Sequence, residues 1–269
     1  MKIQTLKSRY RYSVILLKQL VKTDFKLRYQ GSVLGYMWSL LRPLALFVIL
    51  YIVFTKFLKI GEGVPHYPIY LLLGIVMWNY FTEVTTGSVS AIVGKGDLIR
   101  KINFPKYVIV LAGSFSALIN LALNFVVIAV FMIVSGVDIH PHIVLLPLVI
   151  LQLFVFSLAA AFFLSAAFVR FRDISYIWEV VLQGAFYATP ILYPLSMVPL
   201  SAAKILMLNP MAQMIQDARY LLITPETQRI DQIYGTQLIY LAPIGIVVAV
   251  TLLAVWYFRS RQRFFAEEV

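Results

Sequence analysis

Long apolar runs, each closed by basic or turn-forming residues, dominate the chain. No Asp, Glu, Lys or Arg occurs from 143 to 169 or from 232 to 258, and the same holds from 108 to 137. A helix needs about 20 apolar residues to cross a hydrocarbon core of ~30 Å. These runs exceed that, with residues to spare for tilt. They are continuously apolar, whereas strands of a membrane barrel alternate over about ten residues. Helices also satisfy their own backbone in lipid. The pattern therefore predicts an all-α integral membrane protein with six transmembrane helices, over 36–57, 67–93, 107–134, 143–169, 174–193 and 236–258.

Two regions break the pattern. In 1–34, Leu16, Leu17, Leu20, Val21, Phe25 and Leu27 fall near helical spacing, while Lys18, Lys22, Lys26 and Arg28 take other positions. An amphipathic interfacial helix in the headgroup plane fits this, as does a solvated cytoplasmic helix. In 194–235, Pro194, Pro199, Pro210 and Pro225 interrupt several short apolar pieces. These are too short to cross fully and predict re-entrant or interfacial outer-side helices before the last span, a form tolerated where protein or a cavity surrounds it. An ordinary outer loop is the simpler alternative. The organisation expected is an N-terminal segment 1–34, a membrane domain 35–258 with an internal loop at 94–107, and a tail 259–269.

Composition agrees. Hydrophobic residues make up 61% of the 269 and charged residues only 13%, too few for the surface of a soluble domain of this length. The net charge of +11 does not indicate nucleic acid, because the basic residues gather where apolar runs end. Eight of the 23 Lys and Arg lie in 1–34, four in 94–107, two in 170–173 and three in 259–269. Only Lys56, Lys59, Lys204, Arg219 and Arg229 lie in the opposing segments. The positive-inside rule then places both termini in the cytoplasm. Cysteine is absent, which excludes disulfides and thiolate metal sites. The basic, interrupted N-terminal segment does not match a cleavable signal peptide.

Charge within the spans is scarce: Arg42, Glu83 and Glu179. Each costs about 2.5–3.5 kcal/mol or more at the membrane centre, so each is expected to face protein or water. Arg42 and Glu83 both fall roughly 10–15 Å from the inner interface at ~1.5 Å per residue. Pairing between them and snorkelling of Arg42 to the headgroups are both open. Aromatic residues form 14% of the chain. Trp38, Trp78, Tyr80, Trp178, Tyr193, Trp256 and Tyr257 read as interfacial belts. Phe47, Tyr51, Phe125 and Phe131 lie deeper and are candidates to line a channel, where aromatic faces stack on sugar rings; lipid-facing or core roles are the alternative.

No catalytic constellation is present. His140 and His142 flank Pro141 without a carboxylate cluster, and His66 stands apart, so no metal site is expected. The VGKGD stretch at 93–97 is not a phosphate-binding loop of the GxxxxGK[ST] type. The spans hold few acidic residues for a proton relay. Uphill transport would therefore draw its energy from a partner.

Several stretches, in order, resemble the ABC-2-type polysaccharide export permeases: DFKLRYQGSVLGYMWSLLRP at 24–43, YPIYLLLGIVMWNYF at 67–81 and DLIRKINFPK at 97–106. RFRDI at 170–174, TPILYP at 189–194 and LNPM with the following Arg219 continue the match over nearly the whole chain. The resemblance implies a homodimer in a bacterial cytoplasmic membrane. It also implies two copies of a separate ABC ATPase subunit that carry the ATP and Mg, with no cofactor in this chain. The cargo would be a polyprenyl-pyrophosphate-linked polysaccharide such as O-antigen or teichoic acid, moving through a channel between the subunits.

Carried onto this sequence, the family's ATPase-coupling helix falls on Asp97, Leu98, Ile99, Arg100, Lys101, Asn103, Phe104 and Pro105. Asp97, Arg100 and Lys101 supply charges for an ATPase groove, Leu98, Ile99 and Phe104 apolar contacts, and Pro105 a stop. Lys26, Arg28 and Tyr29 lie where a lipid pyrophosphate would meet the interface; positive-inside topology and binding of anionic lipid are the simpler alternative. Gly31 and Gly35 flank the first span as a gate or hinge, or as a simple break. Two other functions remain open: an ABC-2 permease for a drug or lipid, and an integral membrane enzyme acting on lipid-linked sugars.

Overall fold

A computed structural model describes residues 13–24, 26, 34–61, 63–102 and 104–268, and every regular element among them is helical. Helix α1 covers 13–24. α2, Trp38–Tyr51, runs on through a π-helical stretch, Ile52–Phe57. α3 is Tyr67–Val89, α4 Gly96–Lys101 and α5 Tyr107–Val134. A 3-10 turn, Pro141–Leu145, leads into α6, Leu146–Arg170, followed by α7, Ile174–Ala188. α8 is Leu200–Met207, α9 Pro210–Leu222 and α10 Ile230–Tyr234. α11 is Leu241–Arg261 and α12 Phe265–Glu268.

Among the described residues, four helical stretches are long and apolar enough to cross a membrane: Trp38–Phe57, Tyr107–Val134, Pro141–Arg170 and Gln237–Arg261. Large apolar side chains cover their outsides, including Val126, Ile133, Leu148, Leu252 and Trp256. In water that surface would drive aggregation; in lipid it is the expected exterior. The other two expected spans differ from these. α3 has 23 residues, enough length, but carries Asn79, Thr82, Glu83, Thr85 and Thr86. It packs against α2, α5, α6, α7 and α9, so its neighbours are protein and its polar residues need not meet lipid. α7 has 15 residues, roughly 22 Å at 1.5 Å per residue. α8 and α9, with 8 and 13 residues, are shorter than the hydrocarbon core too.

Small residues let the central helices approach. Ser157, Ala159, Ala161, Ser165, Ala166 and Ala167 of α6 are buried, as are Ala112, Ser114, Ser116 and Ala117 of α5. Without a hydrophobic drive between helices in lipid, such close packing supplies much of the association energy.

Candidate functional site

Two cavities lie along α3 and share a wall made of Asn79, Thr82 and Thr86. These residues recur at helical spacing, so one stripe of α3 faces both. The first cavity, about 770 Å³, is a groove between α3 and α7, with Leu46 and Leu50 of α2 on its edge. Trp78, Trp178 and Phe186 line it, and Glu179 and Gln183 add polar atoms. Trp78 meets Phe186 edge-on at 5.9 Å and Phe81 at 5.7 Å, while Phe81 meets Trp178 at 6.1 Å. Tyr187, also in the lining, is 69% exposed.

The second cavity, about 500 Å³, lies between α2, α3 and α5. Arg42 and Glu83 both line it, so the structure brings the two expected intramembrane charges to one place and Glu179 to the other. The Asn120 amide nitrogen donates to Glu83 Oε1 at 2.8 Å. The Asn124 amide donates to the Asn120 carbonyl at 2.8 Å, within the same helix.

The candidate channel aromatics sit elsewhere. Phe47 stacks on Tyr51 at 5.8 Å and meets Phe131 edge-on at 6.2 Å, which places all three in the α2–α5 contact. Phe125 is half-buried and packs against the core. None of the four lines either cavity. Trp78 is also not a belt residue: it lies mid-helix in α3 and is buried.

The loop at 94–107 forms a short helix, α4, where the coupling segment was expected. Asp97, Arg100 and Lys101 of α4 are exposed, with Arg100 3.6 Å from Asp97. Ile99 and Phe104 are buried in the chain's own core, so they are not free to enter a partner. Leu98 is half-buried, and Ile102 is the exposed apolar residue. Pro105 lies two residues before α5 and is half-buried. Both ends of the chain brace this loop. Lys95 Nζ lies 3.0 Å from Asp24 of α1, and α12 packs on α4 with Phe265 fully buried against Phe258.

Lys26 is helical and exposed. Gly35 has φ +50, in the left-handed region that favours glycine, where the chain turns into α2. Arg28, Tyr29, Gly31 and Asn103 lie outside the described residues.

Arg219, one of the five basic residues that the sequence places in the opposing segments, is completely buried in α9. Its Nε donates to the Tyr70 carbonyl at 3.1 Å, and Nη2 donates to the Ile191 carbonyl at 2.7 Å. Nη1 donates to the Pro190 carbonyl at 2.6 Å and to Gln216 Oε1 at 3.1 Å. The Tyr70 ring lies 3.5 Å from the guanidinium carbon. Tyr67 at the start of α3 adds a bond to the Leu192 carbonyl at 2.7 Å. Segment 189–194 is thereby tied to α3 and α9. Beside this knot, Asp217 accepts from Tyr240 at 2.9 Å and from Gln213. Burial pushes its carboxyl up to about 6, an effect those two bonds partly offset.

A profile of the ABC-2 type transporter family matches residues 15–223. The chain is 30% identical over 273 residues to the O-antigen export system permease protein RfbA of Myxococcus xanthus, covering 99% of this chain and all of that one. An RfbA permease of Klebsiella pneumoniae is 30% identical over 240 residues, covering 88% and 92%.

Proposed function

Because the chain belongs to the ABC-2 type transporter family, we propose that it is the membrane permease of an ATP-driven exporter of a polyprenyl-pyrophosphate-linked polysaccharide. The observation that carries this reading is the groove along α3 and α7. Its walls combine aromatic faces with Asn79, Glu179 and Gln183. Aromatic faces stack on sugar rings and slide along them, while amides and carboxylates exchange hydrogen bonds with hydroxyls.

In this account six helices cross the bilayer, α3 and α7 included, and both termini lie in the cytoplasm. α8 and α9 enter from the outside and return. Two copies of the chain close the groove into a channel, with the exposed face of α7 turned toward the second copy. Two copies of an ABC ATPase dock at α4 through Asp97, Arg100 and Lys101, with Ile102 as the apolar contact. Lys26 and its basic neighbours meet the lipid pyrophosphate at the inner surface. Hydrolysis of ATP belongs to the partner.

Affinity purification from the native membrane tests this. The permease is expected to bring down an ABC ATPase in equal amount, and reversing the charges of Asp97, Arg100 and Lys101 together is expected to release it. A permease that purifies with no ATPase under any mild detergent contradicts the reading.

A further inference from the structure

The cavity between α2, α3 and α5 has a chemistry that the aromatic groove lacks. Glu83 can only accept hydrogen bonds and Arg42 can only donate them, while Asn79, Asn120 and Asn124 do both. Three buried polar atoms of residues lining it have no hydrogen-bond partner: Tyr80 Oη, Thr82 Oγ1 and Asn120 Oδ1. Unmet polar groups at membrane depth are costly and are usually retained for function.

Ligand classes separate on this set. A phosphate wants donors alone and is repelled by Glu83. A hard cation wants several anionic oxygens and is repelled by Arg42; among the described residues no group of three His, Cys, Asp or Glu exists to hold a metal ion. A sugar hydroxyl both donates and accepts, so a neutral polyol satisfies the mixed set. The volume of about 500 Å³ lies within the ~300–1,000 Å³ range of small-molecule sites. Trp38, 51% exposed, supplies an aromatic face in the lining. The shared wall of Asn79, Thr82 and Thr86 puts the cavity beside the groove.

We propose that this cavity is a subsite for one or two neutral sugar residues of the exported chain, distinct from wherever its lipid phosphate binds. The proposal rests on the glycan-export reading above. It makes Asn120, Asn79 and Glu83 specificity-determining residues, which select the sugar held next to the groove.

Saturation-transfer NMR on the purified permease in nanodiscs tests it, with methyl glycosides of rhamnose, mannose, galactose and N-acetylglucosamine as probes and inorganic pyrophosphate as competitor. At least one glycoside is expected to bind, and pyrophosphate is expected not to displace it. Asn120→Leu is expected to weaken that glycoside tenfold or more, and Leu252→Ala on the exposed face of α11, away from both cavities, to leave it within twofold. Asn79→Val serves as the second variant, with the same tenfold loss expected, should Asn120→Leu not fold. Absence of binding by every glycoside, displacement by pyrophosphate, or unchanged affinity in a folded Asn120→Leu or Asn79→Val protein would overturn the subsite. The same preparation is checked for its ATPase partner. Co-purified ATPase with no glycoside binding sinks the subsite alone, whereas absence of the ATPase sinks the export reading.

Discussion

Arg219 and Arg42 are both placed where a membrane protein keeps few charges, and their surroundings differ. Around Arg219 all three guanidinium nitrogens are committed, to the carbonyls of Tyr70, Pro190 and Ile191 and to Gln216. Around Arg42 the cavity keeps open volume, and its lining residues hold buried polar atoms without partners. A fully satisfied polar cluster rigidifies and specifies a structure, while a partly satisfied one carries a cost that folding alone does not justify. The knot around Arg219 is therefore read as architecture, holding 189–194 against α3 and α9. The cavity at Arg42 is read as a working surface.

The contrast can be broken most forcefully at Arg219. Arg219→Leu leaves the buried Pro190 and Ile191 carbonyls without their side-chain donors, at about 1–3 kcal/mol for each unsatisfied group. Loss of a monodisperse protein on size exclusion is the expected outcome. Arg219→Lys is expected to fail similarly, because an ammonium lacks the planar fork that reaches carbonyls on two sides.

Asp217 gives the next largest effect. Its folded-state pKa of about 6 stands above the ordinary 3.8, so the folded protein binds the extra proton between those values. Stability then rises as pH falls from about 6 to about 4 and is flat above about 7. The gain is on the order of 3 kcal/mol, at 1.36 kcal/mol per pKa unit. Asp217→Asn is expected to remove that slope in thermal unfolding scans at pH 4 to 7; an unchanged slope would show that Asp217 is not its source.

Gly74→Ala probes the knot from α3. A β-carbon there would lie 2.6 Å from Arg219 Nη2, and the guanidinium is pinned too firmly to yield freely. A loss of about 1–3 kcal/mol is expected from such overpacking, measured as a lowered Tm.

The cavity at Arg42 should respond in the opposite sense. Asn120→Leu breaks one bond to Glu83, and hydrogen bonds between membrane helices average about 0.6 kcal/mol. Stability is expected to change by less than ~1 kcal/mol while export falls. A Tm loss like that of the Arg219 variants would erase the distinction between the two regions.

How much of this was legible in the sequence varied with the solvent each helix meets. α5 spans Tyr107–Val134, the boundaries expected from its apolar run, because lipid imposes one simple demand. The last span is expected from 236, but α11 begins at Leu241. Thr236 instead caps a 3-10 turn, its side chain accepting from the Leu238 amide. α3 was harder. Hydropathy reports distance from lipid and says little about protein neighbours, so Trp78 reads as a belt residue although it is buried. Asn79, Thr82, Glu83 and Thr86 fall on one face of α3, and that stripe was a signal in the sequence. Asn120 and Asn124 repeat it on α5, four residues apart. Ile99 and Phe104 could not be separated from Ile102 by sequence, since only packing decides which apolar side chains of a short loop turn inward. Arg219 gave no sign of its burial, since α9 carries Asp217 as well, and its carbonyl partners come from other segments of the chain.

The most direct test of the export reading is made in the cell. Deleting the gene is expected to deplete surface polysaccharide and to trap polyprenyl-linked glycan on the cytoplasmic side of the membrane, with both reversed by the wild-type chain. Normal surface polysaccharide with no trapped lipid-linked glycan would contradict it.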